Sequence, residues 1–530
     1  MINLMKSIIF ILMLILPVVA FGQEQSKSEP IDLAPIVVKG TGTVSVMGGE
    51  KQTPGNPVPM RGALLDSLNS LEKQQSLLLP PDPLPSKILH YDYKRGYLKG
   101  GAGMDTRVFF KGGYGIKLDE YDLFGTAGLE IDGGHVKNAE YTKLGLDLNS
   151  EYIAPEKYWI FGGSKTRTNI AFNYSDYKLY ALTDAPARNS ADFKIGVDVD
   201  GNYSGFLFNT GAGFNTTQMS GDAGVAFDNN ILGYLSLKNL QSEYELGGEV
   251  ILDIRNINGS NANFLQGNAL AGYMGEDFYI KAKAGFQTSS NTLEQSRSGF
   301  LLTGEMEYHL SMMLTIRGTV ETGLEQNSFS ELFGRNVYIA SDALVDFSYY
   351  LPRIEGAIFF HPTENISIVG RVGFRSTDRM PIFQINDSKT FDVMYDKVNT
   401  LSIGGELIIK ASESDNIIAD LNLDYSEMEN LGDIMPYSVP MRAAVEYERV
   451  WSEMFGTNFG LVYIGNRYAD LNNDIELEGY IDLKAGAYVK LDNSIRLYFN
   501  FENLLNSDIF IWQDYKEKGL FVVGGLMWQF

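Results

Sequence analysis

Cysteine is absent from all 530 residues. That one absence removes disulfides, zinc–thiolate sites, thiol catalysis and a lipid-modified leader. Histidine is nearly absent, with four in the chain. His90, His135, His309 and His361 have no metal-binding spacing, and no serine sits in a nucleophile-elbow motif. The chain therefore reads as a non-enzyme with no cofactor, metal or catalytic residue. Positive charge is also in deficit, with 43 Lys and Arg against 66 Asp and Glu, a net −23. An acidic chain of this kind repels a phosphate backbone, so nucleic acid is excluded as a partner. Beyond the first 22 residues there is no apolar run long enough to cross a membrane as a helix.

The chain begins MINLMKSIIFILMLILPVVAFGQ. Lys6 is a charged lead, Ser7 to Leu16 an apolar core, and Ala20-Phe21-Gly22 a small-x-small cleavage site. Residues 1–22 are therefore expected to be a secretory signal peptide cut before Gln23. Pro17 and the lack of a stop-transfer segment argue against a membrane anchor.

What the chain has is 31 Phe, 30 Tyr and 55 Gly, set in strict alternation. Leu246, Gly248, Val250, Leu252 and Ile254 alternate with Glu245, Gly247, Glu249, Ile251 and Asp253. Ala419, Leu421, Leu423 and Tyr425 alternate with Asp420, Asn422 and Asp424, and Ile495, Leu497, Phe499 and Phe501 with Arg496, Tyr498 and Asn500. A period of two places one set on each face of a strand. A soluble sandwich shares that period, so the connections have to decide. A tight turn at Leu491–Ser494 and the short HPTEN after Phe360 contrast with a long polar and aromatic stretch from Leu505 to Leu520. Short turns at one end and long loops at the other belong to outer-membrane barrels. The predicted fold is all-β, a large antiparallel transmembrane β-barrel of about 22 strands over 90–530. A short Pro/Gly-rich arm, 23–89, precedes it. Within the arm, Leu64, Leu65, Leu68 and Leu71 fall on one helical face and predict a short helix over 61–79, bounded by prolines.

The chain ends GLFVVGGLMWQF. In lipid every strand N–H and C=O must be paired, so the sheet has to close without an edge. Leu526, Trp528 and Phe530 are accordingly read as the barrel-closing C-terminal strand, with its rings at the membrane interface. The expected partners are outer-membrane lipid and the barrel-insertion machinery, whose signal this ending resembles. The inward residues look net acidic (Glu245, Glu249, Asp253, Asp420, Asp424, Asp482 and Glu502), so an open lumen would favour cations.

Gly479-Tyr480-Ile481-Asp482-Leu483, Glu502-Asn503-Leu504-Leu505-Asn506 and Gly519 to Phe530 together resemble the C-terminal end of a TonB-dependent receptor barrel. FFHPTENISIVGRVGFR, Phe359 to Arg375, resembles that family's turn between strands. The resemblance implies an outer membrane of Gram-negative type, both termini periplasmic, and a transport role. The interval from Gln23 to His90 is too short for the family's usual plug. Ile31, Asp32, Leu33, Ala34, Pro35, Ile36, Val37 and Val38 resemble a TonB box, which makes TonB or another periplasmic or surface protein a candidate partner. The expected function is a plugless, porin-like passive pore or the membrane component of a transport or assembly complex. The alternatives are a TonB-energised transporter gated by the arm and a docking barrel with no transport.

Overall fold

The structure is a computed structural model that describes residues 95–530, apart from Asp222, Ala223, Ser242 and Glu294. The expected signal peptide 1–22, the arm 23–89, the helix expected over 61–79 and the segment Ile31–Val38 lie outside the described residues. From Gly96–Gly103 to Phe521–Gln529, 22 antiparallel strands form one closed sheet in which each strand pairs with its sequence neighbour. The first strand closes on the last, with Leu98 opposite Trp528, Gly100 opposite Leu526 and Gly103 opposite Val523. No barrel strand is left with an open edge, as a lipid environment demands.

The alternation acts as the sequence reading expects. Leu246, Val250, Leu252 and Ile254 are exposed on the outer face, as are Leu421, Leu423, Tyr425 and Phe499. An outer belt of exposed large aliphatic and aromatic side chains costs free energy in water and none in hydrocarbon. The residues between them point inward. Most of the inward acids, however, are paired. Asp253 meets Arg255 at 2.7 Å, Glu249 meets Lys283 at 3.1 Å, Glu245 meets Lys238 at 3.3 Å and Asp482 meets Lys484 at 3.2 Å. Asp420 accepts from Arg442 at 2.9 Å. Five of the seven inward acids named from the sequence thus have a basic partner, on the same strand or on a nearby one.

The two ends of the barrel differ. At the end that carries Gly96 and Gln529, nine of the ten turns are two to four residues long, and the exception is 154–164. At the opposite end lie the long connections 327–346, 429–440, 465–479 and 503–520. These long loops position the candidate site.

Candidate functional site: a loop-built lid over a charged chamber

The largest hydrophobic core of the described residues lies at the long-loop end and is built mainly from loops. It joins Met219, Ala226 and Ile257 on strands of one side to Phe329, Leu332, Ile339, Phe391, Tyr437, Ile511, Trp512 and Tyr515. In a ring of 22 strands these contributors come from opposite arcs, so the packing crosses the mouth. Its centre is aromatic. Phe391, fully buried, sits 5.1 Å from Trp512 and 5.8 Å from Tyr437 between ring centroids, and Tyr437 is 4.7 Å from Trp512. Tyr180 meets Tyr515 edge-on at 5.1 Å. Offset and edge-to-face pairs of this kind add about 0.5–1.5 kcal/mol each beyond the area they bury.

The loop 327–346 enters this core through a short helix, Phe329–Arg335. Ser328 caps it by accepting from the Glu331 N–H at 2.9 Å, which leaves Phe329 and Leu332 on the buried side. The loop is pinned to the wall by polar groups. Arg188, 2 % exposed, donates to the carbonyls of Ile339 at 2.8 Å and Val337 at 3.2 Å, and the Tyr177 hydroxyl also donates to Val337 at 2.7 Å. The Ser330 N–H donates to Asp228 at 3.3 Å, and Asp228 is itself held by Arg255 at 3.0 Å. Arg379 holds Asp346 at 2.9 Å.

The last loop is fastened around the rest of the rim. Lys389 pairs with Asp514 at 2.6 Å, the Tyr515 hydroxyl donates to the Lys389 carbonyl at 2.8 Å, and Tyr180 donates to the Lys516 carbonyl at 3.0 Å. His135 Nε2 contacts that same carbonyl at 2.6 Å. Arg467 donates to the Phe510 carbonyl, and Lys518 pairs with Asp132. Glu517, in the same loop, has its carboxyl pushed up to about 7 by burial, against the opposing pull of Lys518 and Lys143.

Beneath the lid a cavity of about 850 Å³ is lined by Lys281, Lys283, Glu305, Glu321, Glu331 and Arg353 among others. An adjoining cavity of about 130 Å³ reaches up to Pro436, Tyr437 and Trp512 of the lid. Its lining holds Arg317, Arg335, Arg353, Arg371 and Arg375 against only two carboxylates, Glu355 and Asp424. Arg317 and Arg353 already have acidic partners, at 2.8 Å in Glu307 and 2.7 Å in Glu321. The Arg371 Nε is buried without a hydrogen-bond partner. Among the described residues, no group of three His, Asp or Glu side chains comes together to hold a metal ion.

The residues singled out from the sequence lie elsewhere. Ile31–Val38 is outside the described residues. Leu526, Trp528 and Phe530 lie together on the outer side of the closing seam, where Phe530 exchanges backbone hydrogen bonds of 2.9 Å with Gly96 and its ring lies 4.7 Å from Trp528. None of them touches the lid. The lid residues were missed, and the signal that marks them is the aromatic density of Asp508–Tyr515, unusual for a loop exposed to solvent.

No protein-family model matches the sequence, and no curated protein does. Solved structures do match the fold. The ferric-catecholate import receptor Fiu from E. coli K12, in its closed form, aligns with a TM-score of 0.62 at 9 % identity, covering 83 % of this chain and 82 % of that one. An apoprotein form of the FrpB iron transporter from Neisseria meningitidis gives 0.66 at 8 % identity, covering 83 % and 82 %. The copper transporter OprC gives 0.64 at 10 % identity, covering 82 % and 80 %. At these identities the likeness is one of fold, and the fold is the TonB-dependent-receptor-like barrel that the C-terminal motifs resemble.

Proposed function

We propose that the chain is a gated transport barrel of a Gram-negative-type outer membrane, shut at rest by its loops, with an under-lid cavity that takes an anionic solute. The observation that carries this reading is the core in which Phe391, Tyr437, Trp512 and Tyr515 pack together with Met219, Ala226 and Ile257 from another arc of the barrel, across the mouth. A permanently open pore has no use for such a core. A gate does, because a two-state packing can be released by cargo or by work done from the other side. Similarity in fold to an import receptor and to iron and copper transporters supports the transport class. The arginine-rich lining supports an anionic cargo.

In this reading both termini face the periplasm, and Ile31–Val38 on the arm 23–89 supplies the contact with TonB. Leu526, Trp528 and Phe530 serve the barrel-insertion machinery. The test is conductance in a planar bilayer of the mature chain, of a chain lacking Gln23 to Ser86, and of Trp512→Ala. The first two are expected to be quiet and the lid variant to conduct. Large, steady currents from the unaltered mature chain would overturn the gate and establish a passive pore.

A further inference from the structure

One turn at the short-turn end is unlike the other nine. Residues 154–164 leave the strand Tyr141–Ile153 and return at Lys165–Lys178. Their ends are tied together, Ala154 N–H to the Ser164 carbonyl at 2.8 Å and Gly163 N–H to the Ala154 carbonyl at 2.9 Å. The segment between folds back over the outer wall. Phe161 meets Phe208 edge-on at 6.0 Å and Trp159 meets Tyr203 at 6.3 Å. A side chain at Gly201 would strike the Ser164 Cβ at 2.9 Å, so the wall is bare where the turn rests on it.

A groove of about 440 Å³ remains between turn and wall. Its floor is a row across three strands, Tyr152 opposite Thr166 and Thr166 opposite Val199. These share the outward parity of Leu146, Leu148 and Val197, which are exposed on the lipid face. Its sides are Tyr158, Trp159 and Phe161, all exposed, with Trp159 at 79 % and held at a φ of 33° that a non-glycine residue seldom adopts. Lys157 stands at the rim, its Nζ 5.7 Å from the Tyr158 ring centroid. Inside, the Ser164 hydroxyl has no hydrogen-bond partner although the residue is only 1 % exposed.

We propose that this groove holds one phospholipid of the membrane leaflet at the short-turn end. An acyl chain lies along Tyr152, Val199 and Phe161, the Ser164 hydroxyl donates to a glycerol-ester carbonyl, and the Lys157 ammonium pairs with the phosphate. The chemistry of the cleft selects that occupant. It is apolar along its length and opens on the lipid face, its single buried hydroxyl lacks an acceptor, and its rim carries a cation. The inference rests on the barrel spanning a membrane and is independent of whether it transports anything.

The test is native mass spectrometry of the full mature chain, purified in detergent and titrated with phosphatidylglycerol. Heat-modifiable electrophoretic mobility reports the folded barrel in parallel. One lipid is expected to survive detergent concentrations that strip the rest. Lys157→Glu and Ser164→Val are each expected to lower its retention about tenfold, the equivalent of one charge-assisted or buried hydrogen bond. Thr166→Trp, which fills the groove from its floor without altering the turn, is expected to abolish retention. Trp451→Ala removes another exposed ring near a short turn and is expected to change nothing. The inference is overturned if the folded wild type keeps no lipid, if Thr166→Trp keeps it, or if Trp451→Ala lowers retention as much as the groove variants do.

Discussion

Tyr338 and Tyr515 stack with ring centroids 3.6 Å apart and planes inclined by 17°, although one belongs to the loop 327–346 and the other to the last loop of the barrel. Loops so distant in the chain meet only if both turn inward over the mouth. This contact is one of the seams along which the lid would part.

The keystone is Phe391, fully buried between Trp512, Tyr437 and Tyr515. Phe391→Ala leaves a cavity there, and such truncations cost about 3–5 kcal/mol. The strands beneath keep their own hydrogen bonds and belt, so the loss is expected to fall on the lid. Hydrogen exchange should rise by orders of magnitude across 329–346 and 508–517 while the barrel strands stay protected. Exchange that rises equally in strands and loops would mean that lid and barrel form one cooperative unit.

Glu517 makes the lid sensitive to pH. Its carboxyl is raised from 4.5 to about 7 in the closed structure, chiefly by burial, with Lys518 and Lys143 pulling the other way and Tyr180, Tyr338 and Tyr480 also close enough to interact with it. A carboxyl raised in the closed state favours closure while protonated. That contribution is complete below the open-state value near 4.5 and is lost as pH climbs through about 7. Lid opening, read as conductance or as exchange in 508–517, should therefore increase between those limits and then level off. Glu517→Gln should flatten the profile, and an unchanged profile in that variant would assign the titration to another group.

The barrel was legible in the sequence because lipid imposes a local rule. One face of Leu246–Ile254 and of Ala419–Tyr425 must be apolar, and a period of two shows it without reference to the rest of the chain. Turns are local as well. Asp492 Oδ1 accepts from the N–H groups of Ser494 at 2.6 Å and Ile495 at 2.7 Å, a turn that the side chain of one residue makes. The lid obeys no such rule. Ile511, Trp512 and Tyr515 follow no long alternation, and their partners are far off in the chain, Tyr338 and Tyr437 in two other connections and Phe391 at the start of the strand Phe391–Lys410. Which inward acids are paired was illegible for a similar reason. Counting acids ignores register, and register is what sets Arg442 beside Asp420.

The closing seam is built for close backbone approach. A side chain on Gly525 would come within 2.4 Å of the Gly100 carbonyl and 2.3 Å of the Tyr498 hydroxyl. Gly525→Val is thus expected to block pairing of the last strand with the first and leave an edge that lipid does not tolerate. The variant should fail to give a heat-modifiable folded band. A normal yield of folded barrel would show that the seam can shift to accommodate the side chain.

Selectivity beneath the lid follows from the lining. Five arginines face two carboxylates in the upper cavity, and Arg371 has a buried guanidinium nitrogen that no protein group satisfies. Once the lid is weakened by Trp512→Ala, current through this constriction should be carried by anions in preference to cations, opposite to what the acidic composition of the chain implies. Arg371→Glu in the same background replaces a cation by an anion where the path is narrow and partly desolvated, so fixed charge acts strongly there. Reversal potentials in a salt gradient should then move toward cation preference by several-fold in permeability ratio, with the single-channel current itself little altered. A lid-weakened barrel that is already cation-selective before Arg371 is changed would remove the basis for an anionic cargo and leave the gate standing.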